Sequence, residues 1–164
     1  MAGETLQDLL DFTLETAWLA GKITLRYYQG GVQTEWKDDA SPVTIADRQA
    51  EEKIRHCIEQ RFPEDGLIGE EFGSKEKRSG RRWIIDPIDG TKSFVQGVPL
   101  YGVLIGVEED DEMVAGVVYM PALDELVWAG KGLGCRWNGM NRAGHPIVRK
   151  TLGTFGNVGR YLSK

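Results

Sequence analysis

Acidic residues follow two short apolar segments of the sequence, at positions where neighbouring strands of a sheet could end. The segment 67–68 leads to Glu70, and the segment 83–85 leads to Asp86 and Asp89. Binding and catalytic residues are often carried by loops at strand ends, and carboxylate and carbonyl oxygens are the ligands that Mg²⁺ prefers. The pattern therefore predicts a magnesium site with the following ligands: Glu70, Asp86, the main-chain carbonyl of Ile88, and Asp89.

The run 86–91 also contains groups that could bind a phosphate. Pro87 restricts the backbone so that the aspartates beside it can point at one spot, and Gly90 permits a close approach of the backbone. A helix that began at Thr91 would offer its first N–H groups to an anion, and the Thr91 hydroxyl could orient a water molecule. A simple turn is the alternative, because Asp, Pro and Gly are turn residues. The acidic segment at Glu70 favours the metal site.

The spacing of the aspartates separates this pattern from another class of phosphatases. That class uses Asp-x-Asp-Gly-Thr after an apolar strand, and the first Asp attacks the phosphorus. Here Pro87 and Ile88 both lie between Asp86 and Asp89. The spacing predicts metal ligation and attack by a water molecule, without a phosphoenzyme.

The composition limits the classes of function. A chain of 164 residues with 41% hydrophobic and 27% charged residues predicts one soluble globular domain, 1–164. The formal net charge of -5 argues against a nucleic-acid partner. We expect no membrane span and no secretory signal. Cys57 and Cys135 lie far apart, which predicts no disulfide and a cytoplasmic protein.

Apolar periodicity predicts two helices. One covers about 6–28 and ends near the glycines at 30–31, and the other covers about 44–62. Thr44 is followed three residues later by Asp47, which fits a variant of the capping box.

Short apolar or alternating segments predict the strands: 32–36, 67–68, 83–85, 101–107, 113–119 and 125–128. The acidic run 109–111 predicts a hairpin turn, and 37–42 and 74–82 are expected to be loops. Because helices precede mostly antiparallel strands, the predicted class is α+β, with N-terminal helices packed on a largely antiparallel sheet.

The motif around the aspartates resembles that of the inositol monophosphatase superfamily. The resemblance rests on 83–91 and on 69–71, and it extends from the first helix to about Gly139. Within the superfamily the chain is most similar to the histidinol-phosphatase branch, on the following segments: 41–48, 91–94 and 97–100. The Lys-Ser-Phe of 92–94 also occurs in the branch that cleaves 3'-phosphoadenosine phosphate. The resemblance implies the first half of the layered α/β sugar-phosphatase fold.

The same resemblance implies a role for each metal-binding residue. Asp86 would bridge two magnesium ions, in a family that uses two or three. Glu70 and the carbonyl of Ile88 would complete the shell of one ion, and Asp89 would bind the other. Glu71 is expected to support the ligands or to face solvent.

The catalytic roles implied by the resemblance fall on Glu70, Thr91 and Asp47. Thr91 and Asp47 would position the attacking water, and Glu70 would lie near it. Asp47 has a second explanation as the capping partner of Thr44, and both can hold.

Phosphate binding is implied for a further group of matching positions: Asp89, Gly90, Thr91 and Lys37. The main-chain N–H groups of Gly90 and Thr91 would hold the phosphate. Lys37 matches a family lysine in a mobile loop near the metals.

The chain departs from the family pattern in one respect. Family members carry a further metal-binding aspartate in a Trp-Asp motif of a C-terminal segment, whereas none of the five tryptophans here precedes Asp. The chain thus resembles the N-terminal part of a longer enzyme. We expect an incomplete metal shell and weak or absent activity for the chain alone.

These inferences predict a magnesium-dependent phosphomonoesterase that hydrolyses a small phosphorylated metabolite with a metal-activated water. Histidinol phosphate, hydrolysed to histidinol in histidine biosynthesis, is the expected substrate. Inositol monophosphate and 3'-phosphoadenosine phosphate are the alternative substrates, and a non-catalytic metal- or phosphate-binding relative is the alternative from another class. The family tends to dimerise, so a homodimer is expected.

Overall fold

The computed structural model describes residues 4–38, 42–138 and 140–141. The elements in these ranges are α1 (Leu6–Tyr27), β1 (Thr34–Trp36), β2 (Pro42–Thr44), α2 (Ile45–Arg61), β3 (Gly66–Gly69), β4 (Ser74–Lys75), β5 (Arg81–Asp89), α3 (Thr91–Val95), β6 (Gly102–Glu109), β7 (Glu112–Met120), a 3-10 helix (Pro121–Leu123), β8 (Glu125–Gly130), β9 (Gly134–Trp137) and β10 (Met140–Asn141). None of the described helices is long and apolar enough to cross a membrane.

Both long helices begin with a capping box. In α1 the Thr5 hydroxyl accepts from the N–H of Asp8, and the Asp8 carboxylate accepts from the N–H of Thr5. In α2 the main-chain N–H of Thr44 donates to Asp47 Oδ2 over 2.7 Å. A cap of this kind contributes about 1 kcal/mol. The cap of α2 confirms the predicted helix start and fixes the place of Asp47.

The main sheet is antiparallel except at one pair of its described strands. Its order is β10-β9-β8-β7-β6-β5-β3-β4, and β3 runs parallel to β5 with Gly69 opposite Ile85. Parallel strands end at the same edge of a sheet, so the next residues, Glu70 and Asp86, come side by side. The predicted α+β class, with helices packed on a largely antiparallel sheet, is confirmed.

The apolar core lies between this sheet and the helices α1 and α2. Its buried side chains come from all three: Leu9, Leu10, Ala17, Ala20, Ala50, Ile54, Ile58, Leu67, Trp83, Ile85, Val103, Ile105, Val107, Val114, Ala115, Val117 and Tyr119. Phe12 and Phe62 pack against Trp83 with ring centroids 5.6 and 5.5 Å away. Because Trp83 and Ile85 of β5 are fully buried in this core, the core anchors the strand that leads to the acidic residues.

Strand β5 is longer than the sequence predicts. It continues to Asp89, so Asp86 lies within the strand and not after it. The pairing with β6 shifts register between Asp86 and Asp89, and Pro87 lies at this irregularity. The prediction of a shorter strand was wrong because Asp and Pro are depleted in strands, whereas the long partner β6 continues the pairing.

Other strands also lie where the sequence pattern predicts loops. Pro42–Thr44 pairs with β1, and Ser74–Lys75 pairs with β3. The strands β9 and β10 have no counterpart in the sequence prediction. These segments are short, and cross-strand pairing rather than local preference makes them strands. Residues 39–41 of the predicted loop 37–42 lie outside the described residues.

The predicted hairpin between β6 and β7 is confirmed. Asp110 and Asp111 join β6 to β7 with φ values of 49° and 64°. Asp and Asn adopt this left-handed conformation more readily than most residues.

Candidate metal and phosphate centre

The acidic site lies at the sheet edge where β3 and β5 run side by side, next to the first turn of α2. Burial raises the pKa of Asp86 well above its ordinary value, and the nearby charges of Glu70, Asp89 and Asp47 raise it further, as does a hydrogen bond with Glu70. Like charges held this close favour the uptake of a proton or a cation. The tertiary structure thus places the charges of Glu70 and Asp89 near Asp86.

One oxygen of Asp86 has no hydrogen-bond partner. Among the described residues, two shielded side-chain atoms lack one, Asp86 Oδ1 and Arg82 Nε. The Arg82 guanidinium still reaches Glu108 through Nη2 at 2.6 Å, whereas the Asp86 carboxyl group lies near the charges of Glu70, Asp89 and Asp47. A shielded carboxylate oxygen without a donor is costly, and a bound cation would satisfy it.

The two carboxylate oxygens of Asp47 contact two different residues. Oδ2 accepts from Thr44, as the cap of α2, and Oδ1 lies 3.3 Å from Thr91 Oγ1. Burial raises the pKa of Asp47, although the hydrogen bonds from Thr44 and Thr91 act in the opposite direction. Asp47 therefore caps α2 and contacts Thr91 at the same time.

The carbonyl of Ile88 lies at the same place. Thr91 Oγ1 is 3.1 Å from Ile88 O, so this carbonyl and Asp47 both face the Thr91 hydroxyl. Gly90 lies between these residues with φ of 93°, and a Cβ there would come within 3.0 Å of the main-chain oxygen of Leu100. The turn into α3 therefore requires glycine, and the predicted helix after Gly90 is confirmed as Thr91–Val95.

Lys37 is bound to the acidic residues that follow β3. Its Nζ lies 3.0 Å from Glu70 Oε1 and 2.7 Å from Glu71 Oε1. Burial lowers the pKa of Lys37, but the hydrogen bonds and charges of Glu71 and Glu70 leave it raised overall. Burial also raises the pKa of Glu71, against the effect of Lys37. With its side chain 4% exposed, Glu71 does not face solvent but holds Lys37 beside Glu70.

The donor set fits a magnesium ion. Carboxylates of Glu70, Asp86 and Asp89 and a carbonyl oxygen are the hard ligands that Mg²⁺ binds, and Asp86 Oδ1 is shielded and unpartnered. Across the described ranges, no group of three or more His, Cys, Asp or Glu side chains is arranged around a common ion position. The ammonium group of Lys37 holds Glu70 in an ion pair instead.

Glu51 lies directly behind the site and has no place in the sequence predictions. It is fully buried on α2, one helical turn after Asp47, and it accepts from the main-chain N–H of Glu71 over 2.7 Å. The signal in the sequence is an acidic residue between Ala50 and Ile54, on the apolar face of a predicted helix. A buried acid requires partners, and the loop after β3 supplies them.

Comparison with known proteins decides the family. The inositol monophosphatase family matches residues 5–156. The chain belongs to the inositol monophosphatase family. Over 131 residues it is 53% identical to a histidinol-phosphatase of Chlorobaculum parvum, a match that covers 79% of this chain and 51% of the relative.

Further relatives show the same partial coverage. A fructose-1,6-bisphosphatase/inositol-1-monophosphatase of Aquifex aeolicus is 37% identical over 139 residues, which cover 83% of this chain and 52% of the relative. The solved structure of a Thermotoga maritima IMPase matches with a TM-score of 0.76 and 34% identity, over 82% of this chain and 52% of that one. The chain therefore spans about half the length of the relatives it matches, and its resemblance to the family and to the histidinol-phosphatase branch is confirmed.

Proposed function

We propose that this chain carries the metal and phosphate centre of a magnesium-dependent phosphomonoesterase whose substrate is histidinol phosphate. The observation that carries the proposal is the meeting of Glu70 and Asp86 at one sheet edge, with Asp86 Oδ1 shielded and unpartnered. Membership of the inositol monophosphatase family supports it. A site of this kind gains stability from a cation, and the cation in turn attracts a phosphate.

The proposed metal ligands are Glu70, Asp86, Asp89 and the carbonyl of Ile88. Asp86 is the central ligand of this set, because the charges of both Glu70 and Asp89 raise its pKa. Bound magnesium would supply Lewis-acid chemistry, activating a water and neutralising charge on the phosphoryl and leaving oxygens.

Thr91 and Asp47 are proposed to orient the attacking water, with Glu70 near it. The Thr91 hydroxyl has one proton, and either Asp47 Oδ1 or Ile88 O can accept it. The hydroxyl oxygen then remains as an acceptor, so a water that donates to it turns its own lone pair away. That orientation directs the lone pair towards a phosphorus atom bound beyond the carboxylates.

The phosphate group is proposed to lie against Gly90 and Thr91, close to Asp89. The absence of a side chain at Gly90 lets the backbone approach the phosphate, and the N–H groups of Gly90 and Thr91 are the donors. Lys37 supplies a positive charge next to Glu70. Its move from Glu70 to an incoming phosphate would free a metal ligand.

Histidinol phosphate is favoured as the substrate by the 53% identical relative, which is named a histidinol-phosphatase. Inositol monophosphate is the second candidate, because a 37% identical relative is named an inositol-1-monophosphatase. The Lys-Ser-Phe of 92–94 keeps 3'-phosphoadenosine phosphate as the third. We also propose that the protein is cytoplasmic and forms a homodimer, without nucleic-acid or membrane partners.

The test is a phosphate-release panel with these three substrates, with and without Mg²⁺. It uses the chain 1–164, any longer reading frame that contains it, and the variant Asp86→Asn of each. For the longer reading frame, we expect magnesium-dependent release that is fastest on histidinol phosphate and is lost in the variant. For the chain 1–164 alone, we expect weak or absent release. Equal, magnesium-independent rates on all three substrates would refute the proposal. Faster release from inositol monophosphate would show that this compound, and not histidinol phosphate, is the preferred substrate.

A further inference from the structure

The loop after β3 presents Glu70 to the acidic site and is held from behind by side chains of α2. It consists of residues 69–73, and the N–H of Gly69 donates to the carbonyl of Gly73 over 3.0 Å. One internal hydrogen bond leaves the other main-chain groups of so short a loop to find partners elsewhere. Those partners decide which way Glu70 points.

Glu51 supplies the acceptors. Its Oε2 accepts from the N–H of Glu71 over 2.7 Å, and its Oε1 accepts from the N–H of Phe72 over 3.2 Å. Glu51 is 0% exposed, so water cannot replace either contact. The residues directly after Glu70 are therefore fixed to α2 by a single buried carboxylate.

Arg55 neutralises that carboxylate and closes the same loop. Its Nε donates to Glu51 Oε1 over 2.8 Å, and its Nη2 donates to the carbonyl of Gly73. The Arg55 side chain is 14% exposed. Glu51 is therefore paired with Arg55, and both of its carboxylate oxygens also accept hydrogen bonds from the loop.

Gly69 leaves the space in which Glu51 lies. A Cβ on Gly69 would come within 2.0 Å of Glu51 Oε1, so any side chain there would displace the carboxylate. The glycine before Glu70 and the buried acid on α2 are thus matched to each other.

Two buried carboxylates of α2, those of Asp47 and Glu51, each contact one of the segments that carry the acidic site. Asp47 contacts Thr91, in the segment that follows β5, and Glu51, one turn later, contacts the loop that follows β3. One rigid helix therefore sets the distance between the two segments that carry the acidic site.

We propose that Glu51 is the positioning residue for Glu70: by holding the N–H groups of Glu71 and Phe72, it fixes the Glu70 carboxylate beside Asp86. The proposal rests on the proposed magnesium function of that site. Residues behind a metal ligand change metal affinity by about 10- to 100-fold when they are altered.

The experiment compares Glu51→Gln with Glu52→Gln, an exposed neighbour on the same helix. Gln keeps the size of Glu51 but replaces one acceptor oxygen with an NH₂ donor, so one loop N–H loses its acceptor. Calorimetry with Mg²⁺, at a temperature where circular dichroism shows a fully folded chain, should give an affinity about 10-fold or more weaker for Glu51→Gln. Glu52→Gln should bind as the wild type does.

Amide hydrogen exchange provides a readout that does not involve magnesium. The N–H groups of Glu71 and Phe72 should be protected in the wild type and should exchange faster in Glu51→Gln, while the amides of β5 stay protected. Gly69→Ala is the second variant, because it displaces the carboxylate without removing it, and it should weaken Mg²⁺ binding in the same way.

The outcomes separate the positioning proposal from the proposed function. If the wild type binds Mg²⁺ and a folded Glu51→Gln or Gly69→Ala binds it equally well, the positioning proposal is wrong and the metal site stands. Unprotected amides at Glu71 and Phe72 in the wild type would also overturn it, even if neither variant folds. If the wild type does not bind Mg²⁺ at all, the metal site is wrong and both proposals fall.

Discussion

The two ends of strand β5 differ in how their charges are balanced. At the amino end, Arg81 lies 3.6 Å from Asp65 and 2.8 Å from Glu109. At the carboxyl end, Asp86 lies among other carboxylates, and the charge of Glu70 helps to raise its pKa. The same strand thus joins a region of paired opposite charges to a region of repelling like charges.

The difference is clearest between two aspartates. Asp65 accepts from Trp83 Nε1 over 2.8 Å and from Ser79 Oγ over 2.7 Å, so both of its oxygens are satisfied. Asp86 has an oxygen without a partner. Buried polar groups are normally satisfied within the protein. An exception that lies beside other acids supports the proposed cation site at Asp86, whereas Asp65 belongs to the support of the fold.

The largest expected effect of this difference is on magnesium binding. Asp86→Asn removes the charge at the centre of the acidic site, and we expect at least about 100-fold weaker Mg²⁺ binding, since even residues behind a ligand change affinity by up to that factor. Isothermal calorimetry measures it. Asp65→Asn is the matched control and should bind Mg²⁺ as the wild type does. Equal binding by Asp86→Asn and the wild type would contradict the division between the two ends.

The second effect is on stability, and here Asp65 is the residue whose replacement is expected to be harmful. Asp65→Asn leaves Trp83 Nε1 or Ser79 Oγ without its charged acceptor, and we expect the free energy of unfolding to fall by about 2 kcal/mol. Asp86→Asn, measured in the absence of metal, should raise it, because the like-charge repulsion disappears. Urea unfolding followed by tryptophan fluorescence compares them. A loss of stability in Asp86→Asn comparable with that in Asp65→Asn would show that Asp86 is structural.

The smallest effect is a dependence of that stability difference on pH. The folded-state pKa of Asp86 lies well above the ordinary 3.8, so below that ordinary value the carboxyl is protonated in both states and costs nothing. As the pH rises through the folded-state pKa, Asp86 becomes charged in the folded protein. The free energy of unfolding of the wild type then falls, whereas that of Asp86→Asn does not. The advantage of the variant in chelated buffer should therefore grow as the pH rises above the ordinary 3.8.

Two further results would test the pH prediction. An advantage of Asp86→Asn that stays constant with pH would show that Asp86 keeps its ordinary pKa. At the highest pH of the series, saturating Mg²⁺ should make the wild type more stable than Asp86→Asn, because Mg²⁺ binds the folded wild type and not the variant.

Much of the site was predictable because it depends on a short run of residues. Asp86 to Thr91 form one segment, and Gly90 must be glycine where φ is 93° and the Leu100 carbonyl is close. The cap formed by Thr44 and Asp47 is equally local, since its two residues are three positions apart. The roles of these residues in binding metal and phosphate remain predictions.

What could not be predicted depends on residues far apart in the chain. The extension of β5 to Asp89 follows from its pairing with β6, and the contacts of Glu51 with the loop 69–73 join positions about 20 apart. Local preference contains no information on such pairings, because a strand or a buried acid is stable only when its partner is present.

The sequence alone predicts the chemistry of this protein: the acidic residues, their spacing, and the glycine and threonine beside them are the basis for proposing a metal and a phosphate. The tertiary structure decided how the parts meet. The parallel pairing of β3 with β5 brings Glu70 to Asp86, and α2 holds both segments from one side. The reason is that residue types set which ligand can bind, whereas the distances between carboxylates are set by backbone pairing and core packing.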